Sequence, residues 1–223
     1  MLFRSGLSAK LAAECPGYVA THHDPSIPFG SRHPVGGHRC EDLERLTFAT
    51  ASFDVVITQD VFEHVFDADA AFREVQRTLR AGGAHLFTVP LVRGTQPSRQ
   101  RAVRGAEGIR HLEPPQYHGN PMSEDGSLVT WDWGHDIVER IRQETGDEAL
   151  RIVLEIPALG IVAEYLDVIV VERSAGSDGT SRLDAPHRSG NSPTDPIPPR
   201  LAPALSRRRR GGLSTFPPSA SVR

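Results

Sequence analysis

The sequence predicts an α/β fold built on a mostly parallel sheet whose final strand runs antiparallel. Phe53–Thr58 is apolar and β-branched, Asp67–Arg80 has apolar residues at helical spacing, and Ala84–Val89 is again strand-like. Two more strand-like runs, Leu150–Ile156 and Tyr165–Glu172, then follow one another. Alternating strands and helices that close with two successive strands are typical of such a sheet. Ligands of these sheets bind beyond the carboxyl ends of the strands, so the residues after each strand are the candidates for a site.

The segments before this unit are short. Gly6–Glu14 has the apolar spacing of a helix, which Pro16 and Gly17 stop. Tyr18–Ala20 is expected to be a short buried strand. Residues 25–37 are rich in proline and glycine and are expected to form a loop.

The strand–helix–strand unit carries the clearest local signals. Its first strand, Phe53–Thr58, is expected to be buried on both faces because it is mostly apolar and β-branched. Asp67 is a suitable N-cap for the helix, and Gly82 and Gly83 are expected to end it after Arg80. The apolar residues at helical spacing are Ala71, Phe72, Val75 and Leu79.

The second half of the chain gives weaker signals. Leu91–Trp133 is expected to be a long, mostly irregular segment that is nevertheless packed, since it contains both tryptophans. Asp136–Glu144 is expected to be a helix. Residues 174–223 hold eight of the 18 prolines and few large apolar residues, so a disordered tail is expected after a domain of residues 1–173.

Charge and composition exclude several classes of partner. The formal net charge is −3, but residues 174–223 carry +5 and the first 173 residues carry −8. An acidic body argues against nucleic acid as a partner, and the run Arg207–Arg210 is interpreted as a solvated part of the tail. We expect neither a signal peptide nor a membrane span. Two cysteines, Cys15 and Cys40, make no disulfide framework and indicate a reducing cytoplasm.

The stretch SFDVVITQDVFEHV, followed by DADAAFREVQRTLRAGGAHLFTVP, resembles the class I S-adenosylmethionine-dependent methyltransferases, in particular the group called type 11. In that family a strand of the form FDVV leads to a segment ending in EHV. A helix of the form REVxRxLxxGG and a strand ending in a proline follow. Both halves are present with the right spacing, which makes the resemblance specific. It implies a Rossmann-like sheet and S-adenosylmethionine as the cofactor.

The resemblance also implies where the adenine would bind. Glu41 or Asp42 would accept a hydrogen bond from the exocyclic amine of the adenine, with Leu43 beside the ring. The alternative is that both acids are solvated loop residues. Gln59 and Asp60 follow the fourth strand of the family and are also expected to line the cofactor.

Two other features depart from the family pattern. At the end of the second strand, where the family has an acidic residue for the ribose hydroxyls, this chain has His22, with Asp24 as an alternative acceptor. The glycine-rich loop would fall at residues 1–8, where Gly6 is the only glycine. The first, central strand is therefore expected to be truncated to a stub, Met1–Arg4, and the natural chain is expected to begin further upstream.

Candidate catalytic and substrate residues lie in two places. Glu63 and His64 follow the fourth strand, and a histidine with a pKa near ~6.5 can act as a general base. The alternative is that the pair only packs the following turn. The segments HLEPPQYHGNP and TWDWGHD offer the wall of a substrate pocket or, alternatively, a small satellite core. The residues concerned are His111, Tyr117, His118, Trp131, Asp132 and Trp133.

The function implied by the resemblance is methyl transfer to a small molecule or a saccharide. PPxYHGxP and DWG patterns are similar to those of type 11 relatives in bacterial saccharide-related gene contexts. One alternative is an inactive methyltransferase-like remnant that acts as an interaction module, which the incomplete glycine loop favours. Another is an enzyme of a different class that binds a nucleotide cofactor on a similar sheet, such as a reductase. No metal is expected, because the histidine spacing does not match a zinc motif and cysteines are few.

Overall fold

The computed structural model describes residues 6–120 and 123–175, and the side chains of 120–125 are not described. The expected stub Met1–Arg4 and nearly all of the expected tail lie outside these residues. The helices are α1 (Gly6–Glu14), α2 (Ala68–Thr78) and α3 (Ile137–Thr145), with a short 3-10 turn at Pro157–Leu159. The strands are β1 (Thr21–His22), β2 (Arg39–Cys40), β3 (Phe53–Gln59), β4 (Leu79–Thr88), β5 (Arg99–Gln100), β6 (Ala102–Gly105), β7 (Gly108–His111), β8 (Tyr117–Asn120), β9 (Ser123–Leu128), β10 (Trp131–Asp132), β11 (Glu148–Val153) and β12 (Asp167–Glu172).

A mixed four-stranded sheet in the order β11-β12-β4-β3 forms the centre of this α/β structure. β3 and β4 are parallel, whereas β12 is antiparallel to both β4 and β11. Three of these strands therefore run in one direction and β12, the last strand, runs against them. β1 and β2 form a separate parallel pair, with Thr21 opposite Arg39 and His22 opposite Cys40.

Among the described residues, helices cover one face of the four-stranded sheet well and leave the other largely open. α2 and α3 pack on one another, α2 also packs on β4 and α3 on β11. The core beneath them contains Phe62, Phe72, Phe87, Trp133, Ile141 and Ile169. On β3, Val55 and Ile57 are 51% and 41% exposed, and Leu150 on β11 is exposed as well. The expectation that Phe53–Thr58 is buried on both faces is therefore wrong: Phe53 and Val56 pack against the core, whereas no helix of the described residues covers the face with Val55 and Ile57.

The α2 helix begins as the sequence indicates but ends earlier. The Asp67 carboxylate caps it by accepting a hydrogen bond from the backbone N–H of Ala70 at 2.9 Å. The helix ends at Thr78, and the chain continues directly into β4. Gly82 and Gly83 lie inside that strand, so they do not end the helix. A Cβ on Gly83 would be 2.9 Å from the carbonyl oxygen of Asp54, so glycine permits the close approach of β3 and β4 at this point.

The segment expected to be irregular, Leu91–Trp133, contains short strands instead. β6 and β7 form one antiparallel hairpin, β8 and β9 form another, and β5 pairs with β10. These strands are two to six residues long and several are polar, which leaves little alternating pattern to recognise. Other boundaries shift by a few residues, and the expected strand at Tyr18–Ala20 lies instead at Thr21–His22.

None of the helices within the described ranges has the length and apolarity needed to cross a bilayer.

Candidate active site beyond the carboxyl ends of β3 and β4

Glu63 is a buried acid that follows β3 in the chain. Its side chain is 2% exposed, and neither carboxylate oxygen has a hydrogen-bond partner among the described residues. Burial raises the pKa of Glu63 to about 7, and the nearby charge of Asp60 acts in the same direction. The group therefore exchanges a proton near neutral pH, which is the range in which a general acid or base is most effective.

His64 lies beside Glu63 and is oriented by the backbone. Its Nδ1 is 2.8 Å from the carbonyl oxygen of Leu128, which can only accept, so Nδ1 carries the proton. Nε2 therefore keeps its lone pair, and it lies 3.8 Å from Oε1 of Glu63. Burial lowers the pKa of His64, with a smaller contribution from His118, whose ring meets the His64 ring edge-on at 5.2 Å. The imidazole is thus neutral at pH 7 and able to accept a proton.

Thr130 fixes the loop that carries these two residues. Its hydroxyl donates to the backbone carbonyls of Val65 at 2.5 Å and Glu63 at 3.1 Å, and its N–H donates to the Glu63 carbonyl at 2.7 Å. The long segment after β4 therefore returns to the end of β3 and holds the Glu63 loop in place. No local sequence signal distinguishes this threonine, since its partners are distant in the chain.

A cavity of about 280 Å³ opens beside Glu63. His118, Trp131 and Asp132 contribute to its wall, as do Arg99 and Arg101. Both guanidinium groups lie 2.8 Å from Oδ2 of Asp132. Burial opposes ionisation of Asp132, but the hydrogen bonds from the two arginines prevail and lower its pKa. The cavity wall therefore contains an ionised carboxylate held by two guanidinium groups, one of which, that of Arg99, also lies 3.1 Å from Oε1 of Glu113. The arginines were not anticipated from the sequence.

The structure places some of the predicted substrate residues at the cavity and others away from it. His118, Trp131 and Asp132 line the cavity. His111 in β7 and Tyr117 in β8 are exposed and are not among its lining residues. Trp133 is fully buried, stacked on Trp131 with ring centroids 5.0 Å apart, and belongs to the core.

The adenine candidates already have partners within the chain. The Glu41 carboxylate accepts from Arg39 Nε at 2.5 Å and from the N–H and hydroxyl of Thr47 at 2.8 and 2.6 Å. Asp42 accepts from the backbone N–H of Glu44 at 3.0 Å. Leu43 is partly buried and packs against the core.

The ribose candidates are His22, which ends β1, and Asp24, which follows it. The Asp24 carboxylate accepts from the N–H and the hydroxyl of Ser26 at 2.9 and 2.6 Å. His22 meets His38 edge-on at 5.6 Å, and burial lowers the pKa of His22.

The remaining cofactor candidates are the adjacent residues Gln59 and Asp60, and Gly6 far from them in the chain. Gln59 ends β3, and Asp60 follows it with a φ of 51° and accepts from the Thr88 hydroxyl at 3.0 Å. Gly6 is exposed at the start of α1.

Comparison with known proteins finds a family model that matches part of this chain. Residues 10–87 match the type 11 family model described as "Methyltransferase domain". The match includes most of Phe53–Pro90, the stretch that carries the resemblance, and it agrees with a similarity of this part of the chain to the S-adenosylmethionine-dependent methyltransferases.

Individual relatives are more distant. Malonyl-acyl-carrier-protein O-methyltransferase of Methylovorus sp. (strain MP688) is 40% identical over 60 residues, which make up 27% of this chain. The matched region spans only 19% of that relative's length.

Solved structures of methyltransferases also resemble the chain. An amino pentose methyltransferase from Micromonospora echinaspora is 15% identical, with 76% of this chain and 79% of that chain covered and a TM-score of 0.45. The 1,6-didemethyltoxoflavin-N1-methyltransferase of Burkholderia thailandensis is 12% identical, with 63% and 52% covered and a TM-score of 0.39. These likenesses are too distant to define a site.

Proposed function

We propose that this chain is an S-adenosylmethionine-dependent methyltransferase that acts on a small, hydroxyl-rich acceptor of the saccharide type. The observation that carries the proposal is the pair Glu63 and His64. Glu63, a buried acid with a pKa of about 7, lines a cavity beyond the carboxyl ends of β3 and β4, and the imidazole of His64 lies 3.8 Å from its carboxylate. The family match of residues 10–87 supplies the cofactor class.

The two sides of the reaction are assigned to different parts of the domain, residues 1–173. Gly6, His22, Asp24, Glu41, Asp42 and Leu43 are proposed for the cofactor side, together with Gln59 and Asp60. The directions of β3, β4, β11 and β12 suit a Rossmann-like methyltransferase sheet, to which the parallel pair β1 and β2 would also belong. The free cysteines Cys15 and Cys40 are consistent with a cytoplasmic enzyme.

The acceptor side is the cavity. Its volume of about 280 Å³ is at the lower end for small-molecule pockets, which suits a single sugar-sized ring. Arginines 99 and 101 offer donors to acceptor oxygens, and Trp131 offers an apolar surface. The sequence pattern PPQYHGNP, which contains His118, supports a saccharide-type acceptor.

For methyl transfer the protein mainly has to position the methyl donor and the acceptor relative to one another. The cofactor, when bound, would supply an electrophilic methyl group to an acceptor oxygen or nitrogen and would leave as S-adenosylhomocysteine. Glu63, which lines the cavity, would take the proton that the acceptor loses, and His64 Nε2, 3.8 Å from Glu63 Oε1, would share it. The arginines orient the acceptor and the buried loop limits access of water.

Calorimetric titration with S-adenosylhomocysteine tests the cofactor half of the proposal. Transfer of a labelled methyl group to a panel of monosaccharides and sugar acids tests the acceptor half. Binding without transfer to any saccharide would overturn the acceptor class, and no binding at millimolar ligand would overturn the enzyme.

The rival function is an inactive methyltransferase-like module. It is favoured by the internal hydrogen bonds that already engage the carboxylates of Glu41 and Asp24. Under this alternative, the folded chain would not be stabilised against heat by S-adenosylhomocysteine.

A further inference from the structure

We propose that Glu63, His64 and His118 form a binding site for a divalent transition-metal ion of the Zn²⁺ type. One oxygen of Glu63 and one ring nitrogen of each histidine all lie within 4.8 Å of one another. Glu63 and His64 are adjacent in the chain, but His118 comes from the β8–β9 hairpin. The sequence spacing gave no metal signature because the fold, and not a short motif, brings the three together.

The distances are close to those of a coordinated ion. Bonds from Zn²⁺ to imidazole nitrogen or carboxylate oxygen are about 2.0–2.2 Å, so two donors on one tetrahedral ion lie about 3.4 Å apart. His64 Nε2 and Glu63 Oε1, at 3.8 Å, lie close to this spacing. Donors as far apart as 4.8 Å would have to approach by about 1.4 Å, which requires rotation of the side chains when the ion binds.

The surroundings of His64 are those of a metal ligand. A ligating histidine usually donates its other ring N–H to a carbonyl or carboxylate, which fixes the tautomer and aims the free nitrogen at the ion. His64 does this through Nδ1 and the carbonyl oxygen of Leu128, at 2.8 Å.

Glu63 is a second, independent observation that points to a ligand. Its carboxylate is 98% buried and both oxygens lack a hydrogen-bond partner among the described residues. A buried acid without partners is costly, whether it is ionised or not. A cation bound between Glu63 and the two imidazoles would satisfy it.

The donor set selects the kind of ion. Two imidazoles and one carboxylate suit zinc and other first-row transition metals, whereas Mg²⁺ and Ca²⁺ prefer oxygen ligands. Three protein ligands leave a coordination position open for an oxygen of a bound molecule, and both Glu63 and His118 line the cavity. The inference goes beyond the proposed function, since the ion can bind whether or not the chain transfers methyl groups. An ion on Glu63 and His64 Nε2 would occupy the atoms proposed for proton transfer, so in the metal-bound protein these two residues are ligands and not the general base.

Co²⁺ titration of the metal-stripped full chain, followed by visible absorption and by competition with Zn²⁺, tests the site. We expect stoichiometric binding in the wild type and a loss of affinity of at least about 10-fold in Glu63→Gln and His118→Asn, since even outer-shell changes have effects of that size. His111→Asn removes an exposed histidine of the neighbouring hairpin and should bind like the wild type. His38→Asn controls for the stacked pair His33 and His38, whose rings lie 4.8 Å apart.

Three results would overturn the proposal, of which the first two concern the proposed ligands themselves. The first is the absence of binding by the wild type, and the second is equal affinity in His118→Asn and His111→Asn. Loss in His38→Asn alone would place the ion elsewhere and also reject the site. His118 is on a partly exposed hairpin, so its variant should fold even if Glu63→Gln does not. Titration of the same samples with S-adenosylhomocysteine keeps a failure of this site distinct from a failure of the methyltransferase assignment.

Discussion

Acidification should destabilise this protein through His85, the fully buried histidine of β4. Its ring is stacked on Phe87 with centroids 4.5 Å apart, and its Nε2 lies 3.0 Å from the Thr58 hydroxyl. Its Nδ1 is buried and has no hydrogen-bond partner among the described residues. Burial lowers the pKa of His85 from 6.5 to about 3, because a charged ring would lose its hydration in this apolar setting.

The size of the effect follows from proton linkage. The unfolded chain binds a proton at His85 near pH 6.5 and the folded chain does so only near pH 3, so the stability contributed by neutral His85 is present above pH 6.5 and lost as the pH falls toward 3. One pKa unit corresponds to about 1.4 kcal/mol. Between pH 7.5 and 5.0, His85 should therefore remove about 2 kcal/mol from the free energy of unfolding.

Urea unfolding of the wild type and of His85→Gln at pH 7.5 and 5.0 isolates this contribution. The variant is needed because the raised pKa of Glu63 acts in the opposite direction, costing stability as the pH rises above 4.5. The free energy of unfolding of the wild type minus that of His85→Gln should be about 2 kcal/mol smaller at pH 5.0 than at pH 7.5. His111→Gln, at an exposed position, should show no such shift. If this difference changed by less than about 0.5 kcal/mol between the two pH values, the reasoning about His85 would be refuted.

Three further substitutions test individual contacts by the same unfolding assay. Thr130→Val removes the hydroxyl that bridges to the Val65 and Glu63 carbonyls and should cost about 1–3 kcal/mol, whereas Thr21→Val at an exposed site should cost little. Asp67→Ala removes the cap of α2 and should cost about 1 kcal/mol, and Asp67→Asn should restore most of it. Gly83→Ala places a methyl group 2.9 Å from a backbone oxygen and should lower the free energy of unfolding by about 1–3 kcal/mol. Gly6→Ala is the control, because a methyl group there meets nothing within 4 Å. Equal costs at the two glycines would contradict the packing described.

Local signals predicted local structure well. Asp67 and the apolar spacing after it fixed the start and the buried face of α2, because capping and helical periodicity depend on neighbouring residues only. The exposure of Val55 and Ile57 did not follow from their apolar character. It depends on which face of the sheet the helices cover, and that is decided by distant parts of the chain.

In the candidate site, too, local signals identified some residues, whereas contacts between distant parts of the chain decided the others. Glu63 and His64 were indicated by their position after a strand and by the family pattern. The closeness of His118 and the anchoring by Thr130 depend on hairpins whose short polar strands carry no alternating pattern. Arg99 and Arg101 gave no sequence signal either, because arginines on short strands resemble ordinary surface residues until Asp132 is placed between them.

The exposed apolar face formed by Val55, Ile57 and Leu150 has a practical consequence for bench work. Fluorescent dyes that report unfolding by binding apolar surface will also bind the native protein there, and their signal will start high and change little on heating. Label-free methods such as circular dichroism or calorimetry should therefore follow its melting more faithfully. High concentrations of sulfate or phosphate, which strengthen apolar association, should be kept out of its storage buffers.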